Sequence, residues 1–338
     1  MGGFTVEPFD PGRAGEAELT ACHAVMAESW AEERPDEPPL TREQAAGQLI
    51  TPMPGAGAMA HWVARRRGRV VGLAAVSCPE TENTDLALVE VMVAGAARGQ
   101  GVGTAVLREL LPGVLARGRR AVEGWVPARG PGRCWTTALG FRPVRSVAVQ
   151  ALLVAGADRA RWDVPVPAGY RARRWLGRAP DDLVGSYAAA RCAIHDAPLG
   201  ESGFRPPAWT VERVRAAEAE LREQGAEQRV VVAVHEATGE VAGLTEVAVY
   251  PHRPDRCYQG DTAVRARHRG RGLGRWIKAE QVRWLLADHP GIERVQTSTN
   301  SDNTHMLRVN GELGYTTVRT VVAMSHDASA LADALVRR

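Results

Sequence analysis

Ala266–Trp276 reads ARHRGRGLGRW, and an earlier stretch, Ala97–Leu107, reads ARGQGVGTAVL. Each follows a short β-prone run and opens a helical pattern, so each sets a glycine-rich turn at a helix N-terminus. The N–H groups of a first helical turn lack intrahelical acceptors, and the positive end of the helix dipole adds to them. Such a turn suits a diphosphate. Arg98, Gly101 and Gly103 match Arg269, Gly272 and Gly274, and both copies fit Q/R-x-x-G-x-G/A. One glycine turn is weak evidence. Two copies in the same surroundings are stronger.

Those surroundings repeat. Gly72-Leu73 pairs with Gly243-Leu244, Glu90 with Asp261 and Gly103 with Gly274, each 171 positions apart (243 less 72, for instance). Two strands and their loop therefore keep one spacing in both halves, which marks an internal repeat. At 338 residues the chain is long enough for two cores.

Composition narrows the function class. No run of about 18 apolar residues occurs, and MGGFTVEPFD lacks the basic start and apolar centre of a signal peptide, so a cytoplasmic location is expected. Val6 stands where a myristoylation signal wants Ser or Thr. The five cysteines are odd in number, widely spread and free of C-x-x-C pairs, which points to neither a disulfide framework nor zinc. A formal charge of +3 with Lys278 as the one lysine argues against a nucleic-acid partner, and Arg65-Arg66-Arg67 reads as a solvated turn between strands.

Along the chain, strands are predicted at 4–9, 61–64, 70–76, 86–93, 121–126 and 147–154, with helices at 16–30, 41–50 and 133–139. Thr41 and Gln44 fit a capping box. Val102, Val106 and Leu110 mark a helix face after the first loop, and Pro112-Gly113 is expected to end or kink that helix. Residues 155–168, with Pro165 and Pro167, read as a linker, and Tyr170 starts over. Helices are expected at 181–194 and 210–224, with a break at Asp196-Ala197-Pro198, and strands at 230–234, 241–250, 258–264 and 295–299.

With its two glycine loops, preceding strands and the Leu-Gly-aromatic turns Leu139-Gly140-Phe141 and Leu313-Gly314-Tyr315, the chain resembles a tandem GNAT-type N-acetyltransferase, a two-domain member of the actinobacterial type. The resemblance implies an α/β fold of two tandem GNAT domains, each a mixed, mostly antiparallel splayed sheet flanked by helices. It implies an N-terminal domain over 1–157, degenerate or structural, and a catalytic C-terminal domain over 158–338. In that family the loop amides hold the pyrophosphate of acetyl-CoA, the cosubstrate, and its pantetheine arm lies between splayed strands. By match, Val93, Arg98, Gly99, Gly101, Gly103 and Thr104 would serve in the first copy. Val264, Arg269, Gly270, Arg271, Gly272, Leu273, Gly274 and Arg275 would serve in the second. The competing reading for each loop is a plain β-to-α turn with no ligand.

The second half carries more of the signature. Asn303 falls at the family's asparagine and would touch the cosubstrate, although Asn300, Asn303 and Asn310 also suit caps and turns. The first half has Pro131-Gly132 in that region. Acyl transfer to an amine needs a base, because an alkylammonium is protonated at neutral pH. Glu246 and Asp261, on strands beside the loop, are the candidates, with Glu90 in Asp261's place in the first copy; ion pairs with Arg265 or Arg267 are the alternative role. The oxyanion would meet a strand N–H near Val264. Many family members use a tyrosine three residues before the Leu-Gly turn as the acid, but here that place holds Asn310, and Thr136 in the first half. Either the thiolate leaves unassisted or Tyr258 or His268 helps it. The acceptor region of the second half includes His195, Asp196, Glu201, Phe204 and Trp209, in and after an HDAPLGE loop.

The expected activity is acetyl-CoA-dependent transfer of an acetyl group directly to a primary amine of a small molecule: a metabolite, antibiotic or natural-product intermediate. A protein or peptide N-acetyltransferase and a non-catalytic acyl-CoA-binding protein are the alternatives. Expected partners are coenzyme A and the small amine, without metal, nucleic acid or membrane, in a monomer or homodimer.

Overall fold

The computed structural model describes residues 3–52, 55–198 and 200–337. In chain order its elements are β1 (Phe4–Phe9), α1 (Glu16–Glu33), α2 (Arg42–Ile50), β2 (Met59–Arg66), β3 (Arg69–Ser77), β4 (Leu86–Val93), α3 (Val102–Ala116), β5 (Ala121–Pro127), α4 (Pro131–Ala138) and β6 (Arg142–Leu153). Then follow β7 (Tyr170–Leu176), α5 (Val184–Arg191), α6 (Val211–Glu223), β8 (Glu227–His235), β9 (Val241–Val249), β10 (Arg256–Val264), α7 (Leu273–Asp288), β11 (Arg294–Asn300), α8 (Thr304–Glu312), β12 (Thr316–Asp327) and α9 (Ala328–Val336).

The contacts divide the chain into two compact units. One comprises Met1–Ser146, Gly200–Arg205 and Val321–Arg338, the other Val147–Leu199 and Pro206–Thr320. Measured against a boundary at 157/158, each half of the sequence lends the other half of a strand. Val321–Asp327 of β12 hydrogen-bonds β5, and Val147–Leu153 of β6 hydrogen-bonds β11.

In the first unit β1, β2, β3 and β4 pair antiparallel in turn, β4 lies parallel to β5, and β12 closes the far side of β5 antiparallel. Strand alternation sends Val63 and Leu73 to a core with Cys22, Val25, Met26 and Trp30 of α1 and Leu49 of α2. Ala64 and Ala74 face the other side, where α3 and α9 pack. The Thr41–Gln44 capping box that starts α2 makes both its bonds.

Of the end or kink expected at Pro112, the end does not occur: α3 runs through it to Ala116. Pro112 is exposed while Leu107, Leu110 and Leu111 are buried. Burial of each leucine contributes about 2 kcal/mol. Together the three outweigh the roughly 3 kcal/mol a helix-interior proline costs.

The second unit repeats the plan. β7, β8, β9 and β10 pair antiparallel, β10 lies parallel to β11, and β6 closes β11 antiparallel. Tyr187 and Ala188 of α5 and Val214 of α6 pack on Val230, Val232 and Leu244. On the other face, Leu273, Trp276 and Ile277 of α7 meet Val231, Ala233 and Ala242.

Two expectations need correction here. The helix expected at 181–194 ends at Arg191 and continues as a 3-10 turn over Cys192–Asp196. The segment read as a linker is partly anchored: Trp162 is buried and its indole N–H donates to the Leu313 carbonyl at 3.1 Å.

Candidate functional site

In each unit the parallel pair of strands begins together and then parts. β10 pairs with β11 from Arg256 to Gln259, and no pairing follows although β10 runs to Val264 and β11 to Asn300. β4 pairs with β5 over Leu86–Leu88 alone, while β4 runs to Val93. Each splay leaves strand edge unpaired beside the glycine loop. The Arg265 amide donates to Ala242 on β9. Alternation turns the Val264 amide to the opposite edge, toward the opening.

The loops themselves have the shape of a cradle. Gly270 and Gly272 both have φ +76, and Gly99 and Gly101 have φ +70 and +84, the left-handed region that glycine adopts without strain. A Cβ at any of these four would meet nothing within 4 Å. Among the described residues, the amides of Gly270, Arg271, Gly272, Leu273 and Gly274 make no hydrogen bond, as expected of a loop and first helical turn that Gly272 caps without a side chain. Open space, unpaired amides and a helix dipole fit the diphosphate of a coenzyme A thioester.

The loop arginines brace the backbone. Arg269 Nε donates to the Val264 carbonyl at 3.0 Å, and Arg98 Nε to that of Val93 at 2.9 Å. Each guanidinium then reaches a carboxylate, Asp196 for Arg269 and Glu32 for Arg98. Arg271 is exposed at the loop tip, and Arg275 pairs with Glu312 at 3.5 Å.

The copies differ at two points. In the first, the Trp135 ring lies 3.0 Å from where a Cβ on Gly103 would stand, and its N–H points to Thr104 Oγ1 at 3.4 Å. In the second, the matching Gly274 has its nearest such neighbour at 3.8 Å. The register of β4 on β3 is regular, whereas β10 shifts on β9 between Gln259 and Thr262. This is a β-bulge. It sets Gly260 and Asp261 together opposite Glu246.

Around the bulge lies a cluster that sequence reasoning half found. The Glu246 carboxylate accepts from Arg191 Nη2 at 2.7 Å, Gln228 Nε2 at 3.0 Å and Tyr187 Oη at 3.3 Å. Asp261 has one side-chain partner, Arg191, at 3.5 Å. Glu246 is 12% exposed and Asp261 33%. Arg191, itself 7% exposed, stacks on Trp209 with its guanidinium carbon 3.4 Å from the ring centroid.

Burial pushes the Glu246 carboxyl above its usual range; Arg191 works against that and Asp261 with it. Burial likewise opposes the Arg191 charge, but Glu246, Tyr187 and Asp261 outweigh it and raise the guanidinium pKa. Two carboxylates against one guanidinium leave an excess negative charge. Arg191, Tyr187 and Gln228 were missed because their partners are 18 to 70 positions away in sequence. The available signal was Tyr187 and Arg191, four apart on the apolar face of α5.

The remaining expected residues scatter. Tyr258 stands on the Glu246 face of β10, and its hydroxyl accepts from Arg253 Nη1 at 2.8 Å. His268 is neither at the loop surface nor free to assist a leaving group. It is buried between Tyr170 Oη and Glu240 Oε1, each 2.8 Å away. The ion-pair role considered for Glu246 with Arg265 or Arg267 falls away too, because both arginines pair with Glu240.

Asn303 caps α8, accepting from the Met306 amide at 3.1 Å. Asn310 is fully buried and donates to Gln150 Oε1 and Thr299 Oγ1. His195 bonds the Pro207 carbonyl and Asp196 is held by Arg269, so of the acceptor candidates Trp209 joins the carboxylate cluster directly. Glu201 and Phe204 fall in the first unit, where the Glu201 amide donates to Val144. Leu199 of the same loop lies outside the described residues. Among the described residues no group of His, Cys, Asp and Glu could hold a metal ion, and no helix is long and apolar enough to cross a membrane.

Comparison with known proteins agrees with this geometry. The Acetyltransferase (GNAT) family model matches residues 199–315, and an Acetyltransferase (GNAT) domain model matches residues 58–143. Together they span more than half of the chain. A tandem GNAT protein from the clavulanic acid biosynthesis pathway, solved without AcCoA, is similar at 26% identity and TM-score 0.77, over 96% of this chain and 99% of that one. A GCN5-related N-acetyltransferase from Sphaerobacter thermophilus shares the fold at 18% identity and TM-score 0.71, over 96% of both chains. A fungal glucosamine N-acetyltransferase region within a multi-domain GH3 beta-N-acetylglucosaminidase shares it at 17% identity and TM-score 0.67, over 96% of this chain and 38% of that one. The search of curated proteins gives no match. The chain belongs to the GNAT family and is a tandem N-acetyltransferase with two domains of that fold.

Proposed function

We propose that the second unit performs the transfer, moving an acetyl group from acetyl-CoA directly to the primary amine of a small molecule, while the first is a structural copy without chemistry. The observation that carries this reading is the β10 bulge, which presents Asp261 and Glu246 together beside the splay, where β4 has no counterpart. The thioester supplies an activated acyl group and a leaving thiol whose ordinary pKa, about 8.5, demands no strong acid.

The amides of Gly270 to Gly274 would hold the diphosphate, and the Val264 amide would meet the developing oxyanion. Asp261 would take the proton of the incoming ammonium, since its carboxylate is the more exposed and has the fewer partners. Glu246, with its lone pairs engaged by Arg191, Gln228 and Tyr187, would position Asp261 through the guanidinium they share. The excess negative charge would draw a cationic amine, and Trp209 offers its body an apolar wall. Asn310 cannot act as an acid in the tyrosine's place, and thiolate departure would be unassisted.

The test is thiol release from acetyl-CoA across a panel of small primary amines. Turnover with at least one amine, reduced about 100- to 10,000-fold in Asp261→Asn, supports the assignment. Tight coenzyme A binding with no turnover on any amine or peptide would make the protein an acyl-CoA binder.

A further inference from the structure

The second unit contains a cleft of about 270 Å³ where β7 stops, α6 ends and β8 begins. Strand register puts it at the end of the sheet away from the glycine loop, since Val264 lies opposite Gly243, Gly243 opposite Ala233 and Ala233 opposite Ala172 near the start of β7. Leu176, Leu221 and Ala226 give it apolar walls. Its volume is that of about nine liquid waters, enough for a small organic molecule.

Gln228 forms part of the wall and is 7% exposed. Its Nε2 donates to Glu246 Oε2 at 3.0 Å. A carboxylate only accepts, so this bond fixes the amide with its nitrogen toward Glu246 and its oxygen on the other side. That oxygen, Oε1, accepts no hydrogen bond among the described residues, and it is left to the cleft. An amide oxygen buried without a donor costs free energy that a ligand N–H would recover.

Charge selects the ligand's sign. Glu218 accepts from the Ala179 amide and from Arg215 Nη1, each at 2.8 Å, and Glu227 is held by Arg229 at 2.6 Å and His289 at 2.8 Å. Arg178 pairs with Asp181 at 2.9 Å. Arg222, in the last turn of α6, is exposed at the rim, and its side chain makes no hydrogen bond or ion pair among the described residues. The free charge of the cleft is therefore positive.

We infer that this cleft is a second ligand site, taking a small carboxylate with an N–H donor and a branched apolar group, the chemistry of an N-acylated aliphatic amino acid. Arg222 is the counter-ion, Gln228 Oε1 receives the N–H, and Leu176 and Leu221 cover the apolar group. Because one planar amide faces both the ligand and Glu246, occupancy fixes the Gln228 bond to the carboxylate cluster. Binding stands without the proposed transfer; its effect on rate rests on that reading.

The probe is N-acetyl-L-leucine, titrated calorimetrically into the full-length protein without acetyl-CoA. N-acetyl-L-leucinamide lacks its charge and 4-methylpentanoate lacks its N–H. The expected result is saturable binding of the probe, at least tenfold weaker for either control and in Arg222→Ala, and lost in Ala226→Phe, which fills the cleft. Asp261→Asn should leave it intact. Melting curves matched to the parent establish that each variant is folded. With an amine that is turned over, the probe should change kcat and leave both KM values unchanged. Absence of saturable binding, a control that binds as tightly, binding unchanged in Arg222→Ala and Ala226→Phe, or competition with the amine, which would place the probe at the Asp261 cluster, would overturn the inference. The titrations need no turnover, so failure of the transfer reading and failure of this site are told apart.

Discussion

Asp261 and Glu246 share the guanidinium of Arg191, at 3.5 and 2.7 Å, across an extra residue in β10. Without that residue the two would face each other as Glu90 faces Ala75 in the first unit. The bulge converts an ordinary cross-strand position into a paired-carboxylate site at the edge of an open splay.

Gly260 makes room for this arrangement, since a Cβ there would stand 3.3 Å from both Glu246 Cγ and Oε1. The first copy has Val89 at the matching position. Gly260→Val should therefore displace Glu246, cost about 1–3 kcal/mol and lower kcat sharply. A thermal melt and steady-state kinetics with one amine check both effects.

Arg191 opposes the upward push of burial on the Glu246 carboxyl. In Arg191→Met the Glu246 carboxyl rises further, so it protonates at a higher pH and the acid limb of the kcat profile moves upward. Removing one partner of a buried pair also costs about 3–5 kcal/mol. The double variant Arg191→Met with Glu246→Gln should recover much of that stability without recovering activity. Chemical denaturation and a pH–rate profile separate the two effects.

Lys278, the one lysine, is 1% exposed and 5.1 Å from the Tyr315 ring, and burial lowers its pKa from 10.5 to about 7. A base depressed in the fold contributes no penalty above its unfolded pKa; the cost grows as pH falls and levels off below about 7. At 1.36 kcal/mol per pH unit the full penalty is on the order of 5 kcal/mol. Lys278→Met should raise stability most near pH 6 and least near pH 11, as denaturant midpoints across that range will show.

Much of this was legible in the sequence. The spacing of the two loops anticipated two matching sheets, the run Leu86–Val93 is a strand with those bounds, and Thr41 with Gln44 is a working cap. Glu246 and Asp261 were legible as acids on adjacent strands. Their bulge was not, because a one-residue shift in register leaves no mark in a hydrophobic pattern already interrupted by Gly260. Arg191 looked like an ordinary charge at the end of a helix; its worth comes from Trp209 and two strands brought to it by folding. His268 misled in the opposite sense: it sits in the loop signature, yet it is buried between Tyr170 and Glu240.

The central claim is that the two loops are unequal in use. Gly272 and Gly101 both lie at positive φ with open space beyond, so valine strains each backbone to a similar extent, by about 1–3 kcal/mol. The decisive measurement is kcat/KM for acetyl-CoA in Gly272→Val and Gly101→Val, side by side with one turned-over amine. A loss of about 100-fold or more in Gly272→Val, equivalent to about 2.7 kcal/mol, with less than about threefold in Gly101→Val, is the predicted result. Equal losses, or a greater loss in Gly101→Val, would contradict it.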